Sequence, residues 1–131
     1  MATPRITNQR LLGIDVGGRR SGIASFDPAT DIVLPLPSIN HASQEELIEA
    51  LVALAHARGV THIIVGLPLL PSGDEGAQAR KVRECVDALT AQGFTVIAFD
   101  ERYTTSTPKK GEVYDVDSAS ACQILQSYLG H

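Results

Sequence analysis

The stretch that decides the fold is Leu11–Asp27, LLGIDVGGRRSGIASFD. The run LLGIDV is apolar apart from Asp15, breaks at Gly17-Gly18 and resumes as GIASF. Two short apolar segments around a glycine-containing turn predict a pair of antiparallel strands. A carboxylate inside a core strand is unfavourable unless it is paired or binds a metal. Asp15 is therefore either a salt-bridged structural residue or the first candidate for a functional acid.

Outward from this hairpin, hydrophobic periodicity and turn residues predict the element order βββαβαβα. The predicted elements are a proline-containing strand at Ile32–Ile39, a helix from the Ser43 cap to Gly59, a strand at Val60–Gly66, a helix at about Glu75–Gln92, a strand at Phe94–Phe99 and a helix from near Asp117. Proline cannot donate to a strand ladder, which favours an edge position for the third strand. Alternating strands and helices predict parallel strands joined by right-handed crossovers. We therefore expect an α/β fold, a five-stranded mixed sheet flanked by helices, with its site at the carboxyl ends of the strands.

Length and composition fit one domain. The 131 residues suffice for a hydrophobic core, and we expect a single domain over residues 1–131 with residues 1–9 as a short flexible tail. No apolar run approaches the ~20 residues of a membrane span, and the first residues lack the apolar core of a secretory signal. Cys85 and Cys122 lack metal or redox spacing and are interpreted as reduced thiols of a cytoplasmic protein. The four histidines are scattered and form no ligand motif.

Three acidic residues converge under this topology. Asp15 lies on the first strand, Glu101 follows the last strand, and Asp117 starts the last helix, with Asp115 two residues before it. Hard divalent cations prefer oxygen ligands, and two ions ~4 Å apart can stabilise the attacking and leaving oxygens of a phosphodiester displacement. Each acid also has a structural alternative, because Asp117 could cap its helix and Glu101 could pair with Arg102. Their joint placement favours the metal-binding hypothesis.

The chain resembles the YqgF/RuvX proteins, small members of the ribonuclease H-like superfamily. The resemblance spans nearly the whole chain and rests on the segments GIDVGGRRSGIA (13–24), IIVGLPL (63–69), GDEG with the basic helix after it, DERYTT (100–105) and VDSASACQILQSYL (116–129). It implies a ribonuclease H-like fold and a metal-dependent nuclease with Asp15, Glu101 and Asp117 as catalytic residues and metal ligands, Asp115 being the alternative to Asp117. The implied cofactor is Mg²⁺ or Mn²⁺ in a two-metal site. The implied substrate is precursor 16S ribosomal RNA, or branched DNA of the Holliday junction type.

One segment departs from this family. Between Thr105 and Asp117 the chain has only 11 residues, whereas relatives carry a longer, basic, helical insert there. Lys109-Lys110 is what remains of it. The mode of substrate binding, and any dimer or junction geometry that depends on the insert, therefore stays open. We expect a monomer or a homodimer.

Basic residues flank the predicted acids. We expect them to hold phosphates on either side of the scissile bond, the alternative being that they neutralise the carboxylates or are solvated; they are Arg19, Arg20, Arg102, Lys109 and Lys110. Arg80 and Arg83 fit a solvated helix face better. The net charge of −4 argues against a broad basic nucleic-acid surface. Recognition of the backbone, rather than of base sequence, is predicted.

Two other classes of function stay open at this point. A nucleotide-binding module of the actin/sugar-kinase type also begins with an Asp-x-Gly hairpin, but it would need a second lobe for which 131 residues leave no room. A catalytically silent adaptor that binds the ribosome or nucleic acid would be consistent with the short loop and the negative charge. The three acids favour the nuclease over both.

Overall fold

A computed structural model describes residues 8–101 and 116–130, with side chains in the second range described from Ser118 onward. Its elements are β1 (Leu11–Asp15), β2 (Arg20–Asp27), β3 (Ile32–Asn40), α1 (Gln44–Arg58), β4 (His62–Leu67), α2 (Ala77–Ala91), β5 (Thr95–Asp100) and α3 (Val116–Leu129). This is the predicted order, and the α/β fold class is confirmed. Residues 1–7 of the predicted tail and the polar loop before Asp117 lie outside the described residues.

The five strands form one mixed sheet in the order β3-β2-β1-β4-β5. Strand β1 pairs parallel with β4, which pairs parallel with β5, while β2 runs antiparallel to both β1 and β3. The proline-containing strand β3 is at the edge of the sheet, as its sequence predicts. The carboxyl ends of β1 and β5 therefore lie on the same side of the sheet, with the carboxyl end of β4 between them.

Helix α1 shows how local sequence sets the element bounds. The Ser43 hydroxyl caps the helix by accepting from the Glu46 backbone N–H at 3.2 Å. The Glu46 carboxylate accepts from the Ala42 N–H at 2.7 Å, a reciprocal arrangement close to a capping box. Gly59 ends the helix in the left-handed conformation, with φ of 66°. Both signals were readable from the sequence.

The sheet separates two hydrophobic clusters. Leu12 and Ile14 of β1 pack with α1 and α2 on one face, whereas Leu11 packs with α3 on the other. Gly13 faces α3 as well, because a Cβ at this position would meet the Leu125 side chain. Side chains alternate along a strand, so Asp15 belongs to the α3 face. The fold thus presents this acid at the end of the central strand, beside α3.

Both cysteines are buried, and neither forms a disulfide bond. Burial raises the pKa of the Cys85 thiol to about 11, partly opposed by a hydrogen bond with the Gln44 side chain. A thiol with so high a pKa is a poor nucleophile and serves as core packing. Of the helices among the described residues, none combines the length and the apolar character required to cross a membrane.

Candidate active site

Asp15 and Glu101 meet at the carboxyl ends of the strands. Asp15 is the last residue of β1, and Glu101 comes directly after β5. The two side chains share a hydrogen bond, although β4 lies between their strands in the sheet. Both residues are partly buried. The structure thus brings together two of the three predicted acids.

The pairing changes the proton affinity of Glu101. Burial raises the pKa of this carboxyl from its ordinary 4.5 to about 7, with further contributions from the charge of Asp15, the hydrogen bond to Asp15 and the charge of Asp100. Two hydrogen-bonded carboxylates resist simultaneous ionisation, so the pair is expected to hold one proton below a pH of about 7. A group poised near neutral pH for such a reason is typical of a functional site.

Gly66 on β4 makes room for the Glu101 carboxyl. A Cβ built at this position would approach the Glu101 Oε1 atom and the Ile124 Cδ1 atom of α3 more closely than the 3.0 Å that real Cβ atoms keep. The Glu101 side chain therefore lies across the bare backbone of Gly66, next to α3. The missing side chain is what lets the carboxyl reach Asp15 from the far side of β4.

The donor set fits a divalent cation. Asp15 and Glu101 offer oxygen ligands, which Mg²⁺ and Mn²⁺ prefer. A cation between them would offset both the burial of the Glu101 charge and its repulsion from Asp15, the causes of its raised pKa, and would displace the proton. Within residues 8–101 and 116–130, no group of three or more His, Cys, Asp or Glu residues is arranged to hold a metal ion. The third predicted ligand, Asp117, lies in the first turn of α3, and its side chain is outside the described part of the chain.

The predicted phosphate-binding residues are only partly described. Arg19 is exposed in the connection between β1 and β2, one residue before β2 begins at Arg20. Arg20 is also exposed, and its Nε donates to the Ser38 hydroxyl at 2.9 Å. Both lie near the end of β1 that carries Asp15. Arg102, Lys109 and Lys110 lie outside the described residues, so their role stays a prediction.

Sequence reasoning missed two residues next to this site. His41 was interpreted as an isolated histidine, yet it is buried against Ser21 behind the Gly17-Gly18 turn. Lys81 is exposed on α2 and also lines a cleft with Gly17 and Gly18. No sequence signal indicated either position, because both depend on how α1 and α2 pack against the end of β1.

The raised pKa of Glu101 predicts how stability depends on pH in the metal-free protein. The folded state holds the Glu101 proton more tightly than the unfolded chain, so the free energy of unfolding should fall as the pH rises from about 4.5 to about 7. We expect a loss of about 1–2 kcal/mol, since partial exposure screens the effect. Denaturant unfolding in EDTA across this range measures it. Glu101→Gln should lose less stability over the same range, and parallel curves for the two proteins would refute the assignment.

Comparison with known proteins places this geometry in a family. The RuvX family, described as Holliday junction resolvase, matches residues 9–131. The chain belongs to the RuvX family. The predicted resemblance is therefore confirmed, and it extends over nearly the whole chain.

The match to two relatives in this family extends over almost the full length of both sequences. A protein of Sulfurihydrogenibium sp. named pre-16S rRNA nuclease is 37% identical over 131 residues, which cover 92% of this chain and 89% of that protein. A Chloroflexus aurantiacus protein of the same name is 37% identical over 136 residues, covering 95% of this chain and 88% of that protein. These findings support a nuclease function for this RuvX chain.

The solved structure of Thermus thermophilus RuvC in complex with a Holliday junction substrate shares the fold. Its TM-score is 0.63 at 16% sequence identity, with 91% of each chain covered. At this identity the likeness concerns the fold alone, and it confirms the predicted ribonuclease H-like architecture. Membership of the family, with its relatives named as nucleases, favours the nuclease hypothesis over the nucleotide-binding module.

Proposed function

We propose that this RuvX protein is a divalent-metal-dependent nuclease that matures precursor 16S ribosomal RNA in the cytoplasm. The observation that carries the proposal is the acid pair: Asp15 and Glu101 share a hydrogen bond at the carboxyl ends of β1 and β5, and the Glu101 carboxyl lies over the bare backbone of Gly66 on the intervening strand β4. The relatives named pre-16S rRNA nuclease support the choice of substrate.

In this proposal all three acids are metal ligands. Asp15, on the central strand, and Glu101 would hold Mg²⁺ or Mn²⁺ in a two-metal site, with Asp117 of α3 as the remaining ligand. Divalent ions in such a site lower the pKa of water and stabilise the attacking and leaving oxygens of an in-line displacement. The burial that raises the pKa of Glu101 also limits water around the reacting phosphate, which strengthens electrostatic interactions there.

The reaction adds one water across a phosphodiester bond. The water oxygen joins the phosphorus, the bond from phosphorus to the 3′ oxygen breaks, and the leaving 3′ oxygen takes up a proton. The products carry 5′-phosphate and 3′-hydroxyl ends. Arg19 and Arg20, exposed beside the end of β1, would neutralise phosphates next to the scissile bond, with Arg102, Lys109 and Lys110 as further candidates.

Branched DNA is the second candidate substrate. The family description as Holliday junction resolvase favours it, and so does the fold shared with RuvC. Cleavage of either substrate would require the same acids. The two candidates are therefore distinguished by which nucleic acid the protein cuts and not by the chemistry of the reaction.

A cleavage panel tests the proposal. The purified protein is incubated with labelled precursor 16S ribosomal RNA, an unrelated single-stranded RNA and a four-way DNA junction, each with Mg²⁺, Mn²⁺ or EDTA. We expect the precursor to be cut in either metal and not in EDTA. Preferred cutting of the junction would move the assignment to the resolvase. Binding without cutting in every condition would support the adaptor instead.

A further inference from the structure

A small cleft opens beside the active site, on the other face of the sheet. It has a volume of about 120 Å³ and is lined by two apolar side chains and by Gly17, Gly18, His41, Gln44, Gln78 and Lys81. One of its lining residues is Val16, which follows Asp15 in the chain. The Val16 side chain packs on the face of the sheet covered by α1 and α2. The cleft and the acid pair are thus separated only by the end of strand β1.

The cleft contains a buried histidine with an unsatisfied nitrogen. His41 is 6% exposed, and its Nε2 atom lies 2.9 Å from the Ser21 hydroxyl oxygen. That same oxygen accepts from the Gly17 backbone N–H at 3.1 Å. The His41 Nδ1 atom is buried and has no hydrogen-bond partner among the described residues. Buried polar atoms are nearly always paired, so the unpaired nitrogen of this lining residue makes the cleft a candidate ligand site.

The surroundings of the cleft favour an anion. Of its lining residues, Lys81 is the only one that carries a formal charge. Helix α2 starts at Ala77 beside the cleft, and its N-cap is Gly76, which has no side chain to accept from the first backbone N–H groups. The first turn carries no acidic residue, so the positive end of the helix dipole is not neutralised there.

The neighbouring side chains hold this arrangement in place. Gln44 of α1 donates from Nε2 to the backbone carbonyl of Lys81 at 3.2 Å, which fixes the two helices relative to each other at the cleft. Glu75, the nearest acid before α2, is engaged by Arg83 through two hydrogen bonds of 3.1 and 3.2 Å. Glu75 is therefore engaged away from Lys81, the cation that lines the cleft.

The size of the cleft limits what it can hold. Pockets for whole small molecules measure about 300–1,000 Å³. A volume of about 120 Å³ admits a group such as one phosphate, but not a nucleoside. An internucleotide phosphate is the anion that a nuclease substrate brings to this edge of the sheet.

We propose that the cleft formed by Gly17, His41 and Lys81 binds a non-scissile phosphate of the substrate strand; this inference rests on the proposed nuclease function. The bound strand would cross the Gly17-Gly18 turn, with one phosphate in the cleft and the scissile phosphate at Asp15 on the other side of β1. The cleft positions the substrate and takes no part in the chemistry. Its loss should raise KM and leave kcat nearly unchanged.

Titration with inorganic phosphate tests the cleft without any need for cleavage. Amide resonances of Gly17 and Gly18, and the imidazole of His41, are followed by NMR in EDTA, with sodium chloride at equal ionic strength as reference. Lys81→Ala is compared with Arg80→Ala, which removes the same charge one residue away on α2 from a residue that does not line the cleft. We expect saturable shifts in the wild type and in Arg80→Ala, and affinity weaker by about tenfold in Lys81→Ala. The absence of saturable shifts, or equal affinity in the two variants, would overturn the proposal.

Single-stranded RNA distinguishes a substrate phosphate from free phosphate. Affinity for a labelled oligonucleotide is measured in EDTA over a series of salt concentrations, and KM and kcat are measured in Mn²⁺. Lys81→Ala should weaken RNA binding and lower the salt slope by about one relative to Arg80→Ala. Weaker phosphate binding with unchanged RNA affinity and KM would show a site for free phosphate and refute the substrate role. If no substrate is cut, the nuclease proposal fails while the phosphate titration still decides on the cleft.

Discussion

Replacing Asp15 by asparagine is expected to abolish cleavage of every substrate that the wild-type protein cuts. The change keeps the size of the side chain and removes the negative charge that would hold the metal ions at the end of β1. We expect kcat/KM to fall by on the order of a thousandfold or more, since several kcal/mol of transition-state stabilisation depend on the ions. The fold should persist, because a neutral partner also relieves the repulsion with Glu101. Cleavage rates and thermal unfolding of both proteins measure these effects.

Asp27→Asn is the matched control for this substitution. Asp27 ends β2, at the opposite edge of the sheet, and its Oδ1 accepts from the Ala29 N–H at 2.9 Å. Asparagine has an equivalent oxygen, so this turn should be preserved and cleavage should remain near the wild-type rate. Normal cutting by Asp15→Asn would contradict the assignment of Asp15. Equal losses in the two variants would show only a general effect of reduced negative charge.

Gly66→Ala is expected to remove most of the activity through a single methyl group. The new Cβ would overlap the Glu101 carboxyl and Ile124, so the carboxyl must move away from Asp15. Misplacement of a catalytic group by about 1 Å can cost about a hundredfold in rate, and we expect a loss of that order. The variant should also need more Mn²⁺ for half-maximal cleavage. A metal titration of the cleavage rate measures both changes.

Gly13→Ala separates this effect from simple overpacking. Its Cβ would overlap Leu125, in the core under α3, and lies 3.1 Å from the Ala121 carbonyl oxygen, without touching an acid. Both alanine variants should lose about 1–3 kcal/mol of stability, as overpacked cores do. Only Gly66→Ala should change the metal requirement of the folded protein. The same change in both variants would assign Gly66 a packing role alone.

Most of the fold could be predicted because its signals are local. The Ser43 cap, Gly59 and the prolines of β3 each fix an element boundary or an edge through the backbone chemistry of one residue. Topology then follows from general rules on crossovers, and it places Asp15 and Glu101 at the same edge of the sheet. The meeting of these two acids was therefore predictable from sequence.

The remaining features depend on contacts between distant segments. Gly66 sits in an apolar strand like any other small residue, and its importance appears only when Glu101, 35 positions later, lies across it. His41 acquires its role from Ser21 and from the packing of α1 and α2, and Lys81 from the turn at Gly17. No periodicity or spacing in the sequence predicts these contacts between distant residues. The structure brings Asp15 and Glu101 together, but the roles of all the site residues stay predictions: Asp15, Glu101 and Asp117 as metal ligands, and Arg19, Arg20, Arg102, Lys109 and Lys110 as phosphate-binding residues.

Calorimetric titration of Mn²⁺ into the protein tests most directly whether Asp15 and Glu101 form one metal site. Wild type, Asp15→Asn, Glu101→Gln and the control Asp27→Asn are titrated without substrate at pH 6, below the Glu101 pKa of about 7. We predict saturable binding to the wild type and to Asp27→Asn, with protons released as Glu101 gives up its shared proton, and loss of that binding in both active-site variants. Unchanged Mn²⁺ affinity in Asp15→Asn and Glu101→Gln would contradict the account.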